Sequence, residues 1–233
     1  MRLYIIRHAD PDYPNRTITA RGHGEAAALA HHFSRRVGLT HLYTSPLPRA
    51  VHTMEYTQKV TGLPCTTLDW TAELGEFRLT DQPPECQMAW DYPGEHLRSH
   101  VGTRDDWHDH PPFDAPHYRE SWNRIRAGSD ALLAAHGHER QSAAYRVVRP
   151  NTDRVAVFCH GGLGLTWLAH LLHLPVPMVW SGFWMTPTGV TTVLLDQRST
   201  THATPRVLAT NQTPHLALAD LPPNPHGIKA NFE

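Results

Sequence analysis

Two short apolar runs, Leu3-Tyr4-Ile5-Ile6-Arg7-His8 and Val155-Ala156-Val157-Phe158-Cys159-His160-Gly161-Gly162, lie far apart in the chain and each stops at a histidine. Runs this short and this continuously apolar suit strands buried on both faces, the kind found in parallel sheets covered by helices. The segments between them carry alternating helix and strand signals. Thr19 can cap a helix whose apolar stripe runs through Ala26, Ala27, Leu29, Ala30 and Phe33, and Gly38 can end it. A second strand over His41–Thr44 leads through Ser45-Pro46 into a helix over about Pro48–Val60, with Gly62 as its stop. Cys65–Leu68 reads as a third strand and Ala144–Val148 as an edge strand. A helix follows His160-Gly161-Gly162 over Leu163–His173 and is barred from continuing by Pro175. Val190–Leu195 and Arg206–Ala209 are late strands. Alternation of this kind predicts an α/β domain with a mostly parallel central sheet flanked by helices.

With 233 residues the chain is expected to form a single domain, 1–233. The stretch from about 79 to 137 has little clean periodicity until Tyr118 and reads as an inserted cap region over a cleft. The four prolines beyond Thr213 predict an extended C-terminal tail, about 213–233. A formal net charge of −1 gives no electrostatic case for nucleic acid or an anionic membrane surface. The apolar stretch from Val155 to Trp184 is broken by histidines, glycines and prolines, which argues against a membrane span. Three cysteines, Cys65, Cys86 and Cys159, are too few for a disulfide framework and fit a reducing, cytoplasmic compartment. No secretory leader pattern precedes the first strand.

In an open parallel sheet, ligands bind at the carboxyl ends of the strands. Arg7-His8 and His160 stand at two such ends, and Arg49 stands in the first turn of a helix, where backbone N–H groups favour an anion. Arginine offers a planar fork of donors matched to phosphate oxygens. Arg7, Arg49 and His160 are therefore candidates to hold a phosphoryl group against a nucleophilic nitrogen of His8. Neighbouring guanidinium groups favour the neutral imidazole that attack requires. The leaving oxygen needs a proton donor, and Glu73 and Glu76 follow the third strand.

Taken together these residues resemble the histidine phosphatase superfamily, the phosphoglycerate-mutase-like group. Arg7-His8-Ala9 is similar to its arginine-histidine-glycine signature, with Ala9 in place of the glycine. Ile18-Thr19-Ala20-Arg21-Gly22-His23-Gly24-Glu25-Ala26 resembles its helix start, Ser45-Pro46-Leu47-Pro48-Arg49-Ala50-Val51-His52-Thr53 its serine-proline-leucine stretch, and His160-Gly161-Gly162 its second histidine motif. The resemblance implies a three-layer α/β/α sandwich, a phosphohistidine at His8, a phosphate pocket of Arg7, Arg49 and His160, and no metal or other cofactor. It also implies a glutamate donor, for which Glu73 is the first choice and Glu76 the second. Asn15 is carried over as a further phosphate contact. The run Asp10-Pro11-Asp12-Tyr13-Pro14 departs from the mutases and favours a phosphatase over phosphoryl transfer between two positions of one substrate. A phosphate-ligand sensor without turnover is the alternative from another class.

The implied partner is a small phosphorylated substrate, and a homodimer is compatible with the chain. Trp107-His108-Asp109-His110 has metal-ligand residue types, but their spacing does not put them on one helix face. Trp90-Asp91-Tyr92-Pro93 reads as a packed cap segment. Asn211 and His215 are candidates to bring the tail near the cleft. Leu171, Leu172 and Leu174 read as core or interface.

Overall fold

The computed structural model describes residues 1–79, 81–83, 86–99 and 102–228. In chain order its strands and α-helices are β1 (Arg2–Arg7), β2 (Pro11–Asp12), β3 (Thr17–Ile18), α1 (Ala20–His32), β4 (His41–Thr44), α2 (Pro48–Thr61), β5 (Cys65–Thr67), α3 (Gly94–Ser99), α4 (Pro116–Ala135), β6 (His138–Gln141), β7 (Ala144–Val147), β8 (Arg154–Cys159), α5 (Gly161–Leu172), α6 (Val176–Gly182), β9 (Val190–Asp196), β10 (His202–Gln212) and α7 (Pro214–Ala217).

The two histidine-terminated runs become neighbours. β1 and β8 pair in parallel with Leu3 opposite Val155 and Arg7 opposite Cys159, so both strands deliver their histidines to the same end of the sheet. The sheet has the order β5-β4-β8-β1-β9-β10-β7-β6 among the described residues. β5, β4, β8 and β1 are mutually parallel. Beyond β1 each neighbour reverses, through β9, β10, β7 and β6. β10 and β6 thereby regain the direction of β1, and only β9 and β7 run against it. The sheet is mostly parallel in strand direction, while its β9-to-β6 half is antiparallel in pairing.

Side-chain alternation along the buried strands builds the three layers. Leu3, Ile5, Val155 and Val157 enter one core with Trp122, Ile125 and Leu133 of α4, Leu163 and Trp167 of α5, and Val179 of α6. Tyr4, Ile6, Ala156 and Phe158 point the other way, into a second core with Leu29, Phe33 and Met54 from the α1–α2 side. A strand buried on both faces has no polar side to present, which is why these two runs are apolar throughout.

Thr19 caps α1 as expected, accepting from the Gly22 N–H at 3.0 Å. The helix then widens into one turn of π-helix, Phe33–Val37, before Gly38 turns left-handed at φ 65°. Gly62 ends α2 in the same way. Three expectations change. β7 is not the edge strand, because the polar segment His138–Gln141 pairs outside it as β6. α4 is not part of a cap: it lies in a helical layer, where Trp167 Nε1 donates to Ser129 Oγ at 2.7 Å and Gly128 faces the Trp70 ring. The tail is not simply extended. It forms α7, and Asn224 Nδ2 then donates to Asp10 Oδ1 at 2.7 Å, which draws the chain back across the catalytic end of the sheet.

Candidate active site

The carboxyl ends of β1 and β8 and the N-termini of α2 and α5 meet at a cleft of about 500 Å³, lined by Arg7, His8, Arg49 and Glu73 among others. β4 sets the geometry between them, with the Ser45 N–H donating to the Phe158 carbonyl at 2.8 Å at the strand end. Leu47 and Pro48 then start α2, and Arg49 occupies its first turn.

The His8 ring is held at both nitrogens. Its Nδ1 lies 2.7 Å from the Ala9 carbonyl, and Arg49 Nε donates to its Nε2 at 3.1 Å. A carbonyl only accepts, so the proton sits on Nδ1 and Nε2 presents a lone pair toward the cleft. Burial, followed by the charges of Arg7 and Arg49, holds the His8 pKa well below 6.5. The ring is neutral, as a nitrogen nucleophile must be. The alanine in place of the signature glycine is accommodated because Ala9 is fully buried and packs with Ile18 and Ala26. Its N–H donates to Thr53 Oγ1 at 2.9 Å, and that hydroxyl donates to the Arg49 carbonyl at 2.7 Å.

The Arg7 guanidinium is buried. Its Nη1 donates to the carbonyls of Met185 at 2.6 Å and His226 at 3.1 Å, and the group lies over the Trp184 ring at 5.5 Å. His160 sits with its ring centroid 5.1 Å from that of His8, and its Nε2 is 2.7 Å from Ser45 Oγ. Ser45 Oγ also accepts from the Leu47 N–H, while His160 Nδ1 is buried without a protein partner among the described residues. Burial, then the charges of His8, Arg49 and Arg7, holds His160 neutral as well.

Glu73 closes the site from the loop after β5. Its carboxylate accepts from the Leu163 N–H at 2.8 Å and the Gly162 N–H at 3.3 Å, so it sits on the N-terminus of α5. Burial raises its pKa above 4.5, against the opposing pull of the Leu163 N–H and of Arg49. Glu76 points elsewhere. Its Oε1 accepts from Ser121 Oγ at 2.5 Å and from Arg124 Nη2 at 3.2 Å, both on α4. The two open candidates of the sequence are thus separated by position, with Glu73 in the cleft.

Asn15 is not brought to the site. Its Nδ2 donates to Asp12 Oδ2 at 2.8 Å in an exposed turn, outside the cleft lining. The residue of that loop that does line the cleft is Tyr13, under the Arg49 guanidinium at 5.5 Å from the ring centroid. Trp90 and Asp91 also line the cleft, so their segment is more than cap packing. Gly162 makes room for Trp90, since a Cβ there would fall 2.4 Å from its ring. Asn211 and His215 hold the loop behind the catalytic strand instead of entering the cleft. Asn211 Oδ1 accepts from the Thr186 N–H at 2.7 Å, and His215 Nε2 is 2.9 Å from Thr188 Oγ1. The tail enters the cleft further on, through His226 and Gly227. Neither carried a signal in the sequence, because the tail's contribution to Arg7 is a backbone carbonyl. At 107–110, Trp107 is in the core and His108 Nδ1 lies 2.8 Å from Asp109 Oδ1, which also pairs with Arg119.

The sequence profile of the histidine phosphatase superfamily (branch 1) matches residues 3–206. No curated protein sequence matches the chain. Among solved structures, phosphoserine phosphatase from Entamoeba histolytica in complex with 3-phosphoglyceric acid is 19% identical with a TM-score of 0.61, the match covering 92% of this chain and 98% of that one. Mycobacterial glucosyl-3-phosphoglycerate phosphatase with inorganic phosphate is 22% identical with a TM-score of 0.61, over 92% of this chain and 98% of that one. The alpha-ribazole phosphatase of Shigella flexneri is 21% identical with a TM-score of 0.58, over 91% and 97%. The profile spans both histidine motifs and every strand from β1 to β9, so the chain belongs to the histidine phosphatase superfamily, branch 1.

Proposed function

We propose that the protein is a phosphatase that hydrolyses a small phosphate ester through a phosphohistidine on His8. The observation that carries this reading is the His8 ring, with Nδ1 committed to the Ala9 carbonyl and the Nε2 lone pair facing a guanidinium in a cleft that also holds Arg7 and Glu73. The Arg49 N–H now occupies the nucleophile's lone pair. A phosphoryl group entering the cleft offers Arg49 a stronger, charge-assisted partner and frees Nε2 for attack. Arg7, Arg49 and the unpartnered Nδ1 of His160 then neutralise the phosphoryl oxygens, with Ser45 Oγ donating to Nε2 to keep the His160 proton on Nδ1.

In the first step Nε2 of His8 bonds to phosphorus, the bond to the ester oxygen breaks, and that oxygen takes the proton of the Glu73 carboxyl. In the second step the Glu73 carboxylate accepts a proton from water as the water oxygen bonds to phosphorus. The P–N bond breaks, and inorganic phosphate and neutral His8 are regenerated. Protein groups serve as nucleophile, charge clamp and acid, so no step calls for a metal ion or an organic cofactor.

The similar solved structures bear the names phosphoserine phosphatase, glucosyl-3-phosphoglycerate phosphatase and alpha-ribazole phosphatase, which supports a small phosphorylated metabolite as substrate. Three free cysteines support work in a reducing compartment such as the cytoplasm. No helix among the described residues is long and apolar enough to cross a membrane. The test is phosphate release from a panel of phosphorylated metabolites, with trapping of an acid-labile phosphoenzyme. His8→Ala is expected to abolish both. Turnover retained in that variant rejects the mechanism, and an isomerised product in place of inorganic phosphate rejects hydrolysis in favour of phosphoryl transfer.

A further inference from the structure

A second cavity, of about 480 Å³, lies away from the catalytic cleft between the end of α1 and α7, and His31, His32, Arg35, Arg36, His215 and Leu218 line it. No carboxylate lines it. Arg35 and Arg36 are exposed cations that pair with no carboxylate among the described residues, so the cavity has an uncompensated positive rim. The π-helical turn Phe33–Val37 carries both arginines, and such turns recur at functional sites.

The floor of the cavity is a histidine with a defined tautomer. His215 is 2% exposed, and its Nδ1 has no partner among the described residues. The Thr188 hydroxyl donates its single hydrogen to the Pro187 carbonyl at 2.7 Å, so at 2.9 Å from His215 it can only accept. The proton of His215 is therefore on Nε2, and Nδ1 offers a buried lone pair that asks for a donor. His32, whose ring centroid is 6.2 Å from that of His215, also has a buried Nδ1 without a partner. Burial, then the charge on His32, holds the His215 pKa at about 3, so the ring stays neutral and does not answer an anion by protonating. A simple anion would satisfy the arginines and leave this nitrogen bare. A buried acceptor left unmatched is costly, so the complementary guest carries both chemistries.

We propose that this cavity is a binding site for a small polyanion that also bears a hydroxyl, the anionic groups meeting Arg35 and Arg36 and the hydroxyl donating to His215 Nδ1. Hydroxy-polycarboxylates and phosphorylated polyols share this chemistry. Citrate serves as the probe because it has three carboxylates and one hydroxyl and is not a phosphate ester. Calorimetric titration of the full chain with citrate is expected to show one site. The surface double variant Arg35→Gln/Arg36→Gln should weaken binding about tenfold or more. Tricarballylate, the same tricarboxylate without the hydroxyl, should bind about fivefold more weakly than citrate. Arg49→Gln, in the catalytic cleft, should leave citrate binding unchanged. Absence of citrate binding overturns the proposal, as does a double variant that binds like the parent chain, tricarballylate binding as tightly as citrate, or loss of binding in Arg49→Gln.

Discussion

A single proton on Nδ1 of His8, held by the Ala9 carbonyl, decides which nitrogen can attack. Two pKa shifts around it set the pH dependence expected of turnover. His8 must be neutral, and its pKa is held well below 6.5, so the acid limb of kcat/KM falls well below pH 6.5. Glu73 must carry a proton in the first step, and its pKa is raised above 4.5, so activity declines as pH climbs through that raised value. The profile is expected to lean to the acid side of neutrality. Glu73→Gln should lower kcat by about 10²- to 10⁴-fold, the range for loss of a general acid. It should also remove the alkaline limb, and the loss should shrink for aryl esters whose leaving oxygen needs no proton. Glu76→Gln, tied to Ser121 and Arg124 on α4, is expected to change kcat by less than about twofold, because a partly exposed ion pair contributes little. A side-by-side pH–rate series on the two variants checks both statements.

At the scale of elements, the site depends on how closely helices can approach their neighbours. α5 begins beside Trp90 and Glu73 because positions 161 and 162 have no side chain, and α4 seats against Trp70 because Gly128 has none. A Cβ at Gly128 would fall 2.2 Å from the Trp70 ring. Trp70 is itself edge-on to Trp167, with centroids 4.9 Å apart, so it has little room to retreat. Gly128→Ala gains helix propensity but overpacks this contact. The expected net loss is about 1–3 kcal/mol, read as a lowered midpoint in chemical denaturation with an unchanged slope. Gly162→Ala acts on the cleft instead, displacing Trp90. It is expected to lower kcat/KM while moving the denaturation midpoint less than Gly128→Ala does.

For the molecule as a whole, nineteen histidines in one chain make acid the expected route of unfolding. Several are buried and neutral. His170 is 1% exposed with its pKa lowered to about 4, and His215 is 2% exposed with its pKa lowered to about 3. Below pH 6.5 the unfolded chain binds protons that these native rings refuse, so stability falls as pH drops. The contribution is fully present above about pH 6.5 and is lost as pH falls toward the native values. Each of these two histidines accounts for roughly 3–5 kcal/mol over that interval. Urea midpoints measured from pH 7 to pH 4 should fall steeply, and His170→Gln should flatten the curve. A flat profile in the parent chain would contradict the burial of these rings.

The local chemistry of the chain determined the outline. Continuous apolar runs specify strands covered on both faces, and the abrupt stop of each at a histidine puts His8 and His160 at one end of one sheet. Arg49 was legible for the same reason, since a proline at the first position of α2 marks the helix start that carries it. What spacing cannot convey is contact across long stretches of chain. Glu73 and Glu76 lie three residues apart in similar surroundings, and only packing sends one to the α5 N-terminus and the other to α4. Tertiary structure alone decided that the tail returns to the cleft, because Arg7 takes the His226 carbonyl, a group every residue possesses and no sequence pattern advertises. It also decided the tautomers of His8 and His215, which depend on which oxygen stands opposite each ring and not on the histidine itself.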